Sequence, residues 1–272
     1  MTAQASHFHL IIVGDEILSG KRQDKHLSKA IELLAARGLE IGSAEYVGDE
    51  PEKITAVLAR AFDSGGIVFS TGGIGATPDD HTRQCAAKAL SRELALHPQA
   101  ADLIRERMQD TAREQGVPYE PDRPDNIHRL NMGMFPIGAE IIPNPYNKIA
   151  GFSCGKSSLN VHFFPGFPVM AWPMMEWVLD TKYKHLHLAI LTKEKSVIVM
   201  GAMEATLTPL MEQIEAAHPG IKVFSLPSVD HPQFGRHIEL GVKGSVALDA
   251  PYGQLLAGLK AFGVTLGPEL AR

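Results

Sequence analysis

Three short apolar runs, each closing on small or acidic residues and each followed by an amphipathic stretch, leave this chain few folds to choose from. The first, "HLIIVG", is continuously apolar up to Gly14, as a strand buried on both faces should be. The second covers 41–47, and the third is "GIVFS" at 66–70. Between them the period changes. Over 24–37, Leu27, Ala30, Ile31 and Leu34 fall at i, i+3, i+4 and i+7, and Gly38 ends the helix. A helix beginning at Pro51 carries Ile54, Val57, Leu58, Ala61 and Phe62 on one face. Further helices are predicted at 80–90 and 98–115. This strand–helix alternation predicts a parallel sheet covered by helices, whose ligands bind beyond the carboxyl ends of the strands. Asp15 and Glu16, Asp49, and Asp79 with Asp80 all follow such ends, so three acidic positions converge on one edge of the sheet.

The segment after residue 115 is rich in proline and poor in periodicity. "AEIIPNPYNKIAGF" and "SLNVHFFPGFP" read as short strands with tight turns, leading to a helix over 168–180. From about residue 188 the pattern restarts. "SVIVMG" is a strand, 204–217 a helix with Leu207, Leu210, Met211 and Ile214 on one side, and "IKVFSLPS" and "GRHIELGVKG" an antiparallel pair. A helix over 251–262 closes the chain. The order β-α-β-β-α predicts a small ferredoxin-like or KH-like α+β unit over 188–272, after a first domain over 1–187.

The stretch "STGGIGATPDDHT" hangs from the third strand. It fails the dinucleotide fingerprint, which needs a third glycine elsewhere. "GFSCGKSS" at 151–158 fails the P-loop spacing and reads as a polar hairpin turn. In the first stretch Gly72, Gly73 and Gly75 free backbone amides to face a ligand, and the following helix start favours an anion by about 0.3–1 kcal/mol. The loop itself carries no positive charge. Two like unit charges 4 Å apart cost about 4 kcal/mol at an effective dielectric of 20, so carboxylates here would repel a phosphate. A phosphate ligand therefore calls for a divalent cation between it and the acids, held by one or two carboxylates, phosphate oxygens and water. Asp79 or Asp80 is also placed to cap the helix, but one aspartate suffices for that.

"VGDEILSGKRQDKH", "YVGDEPEKI", "STGGIGATPDDHT", "NPYNKIAGF" and "FFPGFP" occur in the order seen in the molybdopterin-binding domain of molybdenum-cofactor biosynthesis. Over about 8–185 the chain resembles that family, in particular the N-terminal region of the competence/damage-inducible protein A branch. It is also similar to the N-terminal domain of eukaryotic FAD synthase. The resemblance implies a three-layer α/β fold with a mostly parallel sheet. It implies catalytic and metal-binding roles for Asp49 and Asp80; the charge argument makes Asp79 a further candidate metal ligand. It assigns nucleotide or phosphate contacts to Thr71, Gly72, Gly73, Gly75, Asp15, Glu16 and Asp24, and a pocket turn to Gly166 and Pro168. His26 stands where the family pattern has asparagine. The implied chemistry is metal-dependent hydrolysis of ADP-ribose or FAD-like dinucleotide pyrophosphates with Mg, Mn or Co. The rival readings are molybdopterin binding or adenylylation, and a non-catalytic binding module. Relatives imply a homo-oligomer.

Other residues carry weaker signals. His7, His9, His26 and His81 lack the paired spacing of a zinc site and read as surface or hydrogen-bonded core. Trp172 and Trp177 share a helix with Met170, Met174 and Met175, which reads as packing or a subunit interface. Asn126 and Arg129 are candidates to reach the pocket. Cys85 falls on a helix's apolar stripe and reads as core. With 272 residues, a formal net charge of -5 and no basic block, the chain is not a general nucleic-acid binder. It has no run of about 18 apolar residues for a membrane span and no secretory leader pattern, so the cytoplasm is the expected compartment.

Overall fold

The computed structural model describes residues 8–188 and 193–271. The chain separates into two compact units, Met1–His187 and Leu188–Arg272. Among the described residues no helix is long and apolar enough to cross a membrane.

The first unit runs β1 (Phe8–Val13), α1 (Asp15–Leu18), α2 (His26–Ala35), β2 (Ile41–Val47), α3 (Pro51–Asp63), β3 (Ile67–Thr71), α4 (Thr82–Leu90), β4 (Leu94–Leu96), α5 (Pro98–Glu114), α6 (Pro124–Arg129), β5 (Met134–Pro136), β6 (Glu140–Ile142), β7 (Gly151–Cys154), β8 (Val161–Phe164) and α7 (Pro168–Lys182). Six strands form one sheet in the order β2-β1-β3-β8-β7-β6. β2, β1, β3 and β8 are parallel, β7 runs antiparallel to β8, and β6 antiparallel to β7. The "GFSCGKSS" stretch is the hairpin between β7 and β8, which accounts for it without a phosphate.

Strand alternation builds the layers. Ile11, Val13 and Val68 share one buried cluster with Ile54, Val57, Leu58, Ala61 and Phe62 of α3 and Cys85 of α4. Leu10, Ile12, Ile67 and Phe69, on the other face, share a second with Leu33 and Leu34 of α2 and Met174, Met175 and Val178 of α7. Each fully buried large apolar side chain contributes about 1.5–3 kcal/mol. Phe135, Phe152 and Phe163 stack in series, with centroids 4.6 and 4.4 Å apart. Trp172 and Trp177 pack against the α2/α7 cluster, so packing explains them. Cys85 and Cys154 are buried free thiols, and burial pushes Cys154 up to about 12.

The second unit runs β9 (Lys193–Met200), α8 (Glu204–Ala217), β10 (Ile221–His231), β11 (Gly235–Gly244), α9 (Asp249–Ala261) and β12 (Thr265–Ala271). Its sheet is antiparallel, in the order β10-β11-β9-β12. β12 corrects the expectation that a helix closes the chain. Its sequence, "TLGPELA", breaks alternation with glycine and proline, and its residues are mostly exposed, as an edge strand permits. With this fourth strand the order is β-α-β-β-α-β, the ferredoxin-like arrangement. Leu207, Leu210 and Ile214 of α8 and Leu255 and Leu259 of α9 close its core over Val197, Val199 and Leu240.

Candidate functional site

A cavity of about 510 Å³ opens in the first unit, lined by the segments that follow β1, β2, β3 and β8. Its floor is the loop after β3. Gly72 and Gly73 have φ of 94° and 68°, in the left-handed region that favours glycine. A Cβ at Gly72 would lie 2.2 Å from the Val13 carbonyl oxygen, and one at Gly73 2.2 Å from Thr82 Oγ1. The Gly72 amide donates to the Phe164 carbonyl at 3.0 Å, and Thr82 donates from its hydroxyl to Gly72 and from its amide to Gly73. The loop is thus tied to β8 on one side and α4 on the other.

Neither Asp79 nor Asp80 caps α4, contrary to the sequence expectation. That helix begins at Thr82, with no side chain capping it. Asp80 instead latches the loop: one carboxylate oxygen accepts from the Thr77 amide at 2.8 Å and its hydroxyl at 2.6 Å. The same carboxylate closes over Gly75, where a Cβ would come within 2.5 Å of it. Beneath the loop, buried Arg83 donates to the Ile74 carbonyl. Burial disfavours its charge, and Asp80 opposes that effect.

The acids converge as expected, with different roles. Asp49 and Glu16 line the cavity with Asp79 and Asp80. Asp15 does not line it. Asp15 and Asp49 clasp each other through their backbones: the Asp15 amide donates to the Asp49 carboxylate at 2.9 Å, and the Asp49 amide to the Asp15 carboxylate at 3.2 Å. Burial raises the Asp49 carboxyl above the usual range. The Asp15 amide opposes this, and the charges of Asp15, Glu16 and Asp79 add to it. Among the described residues no three His, Cys, Asp or Glu side chains form a ready metal cage. A divalent cation here would have one or two carboxylates and fill its shell from water and ligand oxygens, which is how Mg²⁺ is commonly held.

The remaining expected residues divide. Gly166 lines the cavity, and a Cβ on it would meet the Gly72 Cα at 3.5 Å. Thr71 is buried at the end of β3, and Pro168 is the first residue of α7; neither lines the cavity. Asp24 caps α2, accepting from the His26 and Leu27 amides at 2.8 and 3.0 Å and from the Tyr46 hydroxyl at 2.9 Å. With its carboxylate so used, Asp24 is placed as a structural cap outside the cavity.

His26 is buried and joins Nε2 to the Gly166 carbonyl at 3.0 Å; burial lowers its affinity for a second proton, against the opposing pull of that carbonyl and of Asp24. His81 precedes α4 outside the lining, His9 bonds Ser43 at 2.8 Å, and His7 lies outside the described residues. Asn126 and Arg129 do not reach the cavity: Asn126 donates to the Glu120 carbonyl and Arg129 to Asn126. From the same segment it is Met132 that lines the cavity, while His128 reaches the loop at the Ala76 carbonyl.

Sequence reasoning missed Arg22, Asn147, Ile149, Phe167 and Met170, all of which line the cavity. Arg22 is the one Lys or Arg doing so among the described residues, and it supplies the positive charge missing from the loop. No local pattern marks it: the turn in which its amide donates to the Glu16 carbonyl at 3.0 Å brings it to the cavity.

Residues 9–185 match the family model described as "probable molybdopterin binding domain". A CinA-like protein of Geobacter metallireducens is 29% identical over 219 residues, covering 79% of this chain and 50% of that protein, so the chain spans half of this relative's length. A protein of Pyrobaculum arsenaticum is 28% identical over 218 residues, covering 80% and 78%. The crystal structure of CinA, a protein of unknown function from Thermoplasma acidophilum, superposes with a TM-score of 0.54 at 23% identity, covering 67% of this chain and 99% of that one, and shares the fold.

Proposed function

The chain belongs to the molybdopterin-binding domain family, and from that premise we propose that its cavity takes a nucleotide-like ligand by its phosphoanhydride and hydrolyses it, with ADP-ribose or FAD-like dinucleotide pyrophosphates as substrates. The observation that carries this reading is that a glycine-rich amide loop and the partly buried Asp49, under pressure from three neighbouring acids, share one cavity. The loop offers amides to phosphate oxygens without side-chain interference. Arg22 is positioned to offset phosphate charge on its own side.

The donor set also fits a divalent cation, which Asp49 with Asp79 or Asp80 would hold. Such an ion supplies charge neutralisation at the phosphates, polarisation of a phosphoryl oxygen and a more acidic bound water. Asp49 is held in place by its clasp with Asp15 and keeps its carboxylate in the cavity. Asp80 keeps the loop closed through Thr77.

Purified protein incubated with ADP-ribose or FAD and Mg²⁺, Mn²⁺ or Co²⁺ is expected to release AMP, and Asp49→Asn to cut that release by about 10²-fold or more. Metal-independent release, or full activity in Asp49→Asn, overturns the reading. Asp80→Ala is the weaker probe, since it also frees Thr77.

Molybdopterin binding or adenylylation is the second reading, and the family match favours it. It predicts pterin fluorescence copurifying with the protein. A non-catalytic module predicts nucleotide binding without AMP release.

A further inference from the structure

The cavity has a second part that phosphate chemistry leaves unused. Ile149, Ala150, Phe167 and Met170 line it there, all apolar. Phe167 is 55% exposed. The preceding carbonyl, at Gly166, is held by His26 at 3.0 Å. The carbonyl of Phe167 itself receives the Met170 and Ala171 amides at 3.0 and 2.9 Å as α7 begins. The exposed ring is therefore carried on a turn whose backbone is held on both sides, and its open surface is available to a partner ring.

Asn147 is the one polar side chain among these wall residues. Its orientation follows from its neighbours. The Oδ1 atom accepts from Asn144 Nδ2 at 2.8 Å and from the Ile149 amide at 3.0 Å, so the other terminal atom is the NH₂ group. That group meets Met170 Sδ at 3.5 Å, a weak acceptor. The turn is well fixed. Asn144 is buried, donates to the Ile149 carbonyl at 2.9 Å and accepts from the Tyr146 amide at 3.0 Å. Lys148 adopts a left-handed φ of 66°, and Asp110 and Glu106 of α5 pin its ammonium at 2.7 and 3.3 Å. A non-glycine residue held in that region marks a backbone constrained by its surroundings. The result is a fixed N–H donor on an apolar wall.

We propose that this part of the cavity is a ring subsite: a planar fused heteroaromatic ring packs on Phe167, and Asn147 Nδ2 donates to an acceptor on the ring's edge. The proposal rests on the phosphoanhydride reading and supplies the recognition of the ligand's other end. Adenine, flavin and pterin rings share this chemistry.

The test uses the full chain and equilibrium binding. Wild type, Asn147→Asp and Phe167→Ala are titrated calorimetrically with ADP, FAD, neopterin triphosphate and inorganic pyrophosphate in Mg²⁺. Asn147→Asp keeps an oxygen to accept from Asn144 and Ile149 and replaces the NH₂ donor with a second oxygen. At least one ring ligand is expected to bind wild type about tenfold or more tighter than pyrophosphate. Each variant is expected to remove roughly tenfold of that gain, read as the ratio to pyrophosphate in the same variant so that the charge added by Asn147→Asp cancels. The ring ligand that loses most in Asn147→Asp identifies the source. Unchanged ring affinity in both variants, or an equal loss for pyrophosphate, overturns the proposal. Pyrophosphate binding without a ring-dependent gain overturns the subsite alone, and binding of neither overturns the parent reading with it.

Discussion

His162 engages both ring nitrogens, with Ser153 Oγ at 2.8 Å and the Tyr183 hydroxyl at 2.7 Å, and has no exposed surface. Burial holds its protonation down to about 3. In the unfolded chain an ordinary histidine titrates near 6.5. Between those values the unfolded state takes up a proton that the folded state refuses. The stability contributed by keeping this ring neutral is therefore complete above pH 6.5 and is lost as pH falls toward 3, by about 1.4 kcal/mol per pH unit. Urea unfolding at pH 6.5 and 5 is expected to show a loss about 2 kcal/mol larger in wild type than in His162→Gln, which keeps a hydrogen-bonding side chain but does not titrate. An equal loss in both assigns acid sensitivity to other groups. Single residues were also the hardest scale to read from sequence. Asp49 stood out because an acid after a strand end has a known address. Arg22 and Asn147 reach the cavity only through the path of the chain around it, so no local pattern announces them.

At the scale of elements, legibility followed burial. The stripe of Ile54, Val57, Leu58, Ala61 and Phe62 announces α3, and all five are buried. α1 is a single turn of four residues with none buried, so it has no period to detect. β12 was missed for the same physical reason: an edge strand with exposed residues leaves no alternation. Its function is nonetheless structural. Deleting 265–272 is expected to unpair one side of β9, uncover Val197 and Val199, and cost the second unit about 3 kcal/mol or more, read as lost cooperativity in its denaturant transition. An unchanged transition dismisses the strand as dispensable. In the glycine-rich loop, Gly72→Ala places a Cβ against the Val13 carbonyl in a left-handed backbone. The expected outcome is a loss of roughly 2–4 kcal/mol or, if the loop yields instead, loss of ligand affinity with near-normal stability. Wild-type behaviour in both measurements contradicts the loop geometry.

At the scale of the whole molecule, the two units have separate hydrophobic cores, and the cavity is built entirely from the first. Residues 1–187 expressed alone are expected to bind nucleotide within about twofold of the full chain, while scanning calorimetry of the full chain shows two transitions. Binding lost from the isolated unit assigns the second unit a part in the site. The contact of Gly166 with Gly72 has a further consequence. Around Gly72, Gly73 and Gly166 the floor of this cavity is main chain held by hydrogen bonds, and a Cβ added at Gly72 or Gly73 has no room there. Retargeting by laboratory evolution therefore belongs in the walls, where a library over Ile17, Arg22, Met132, Asn147, Ile149 and Phe167 varies side chains that line the cavity outside the glycine-rich loop.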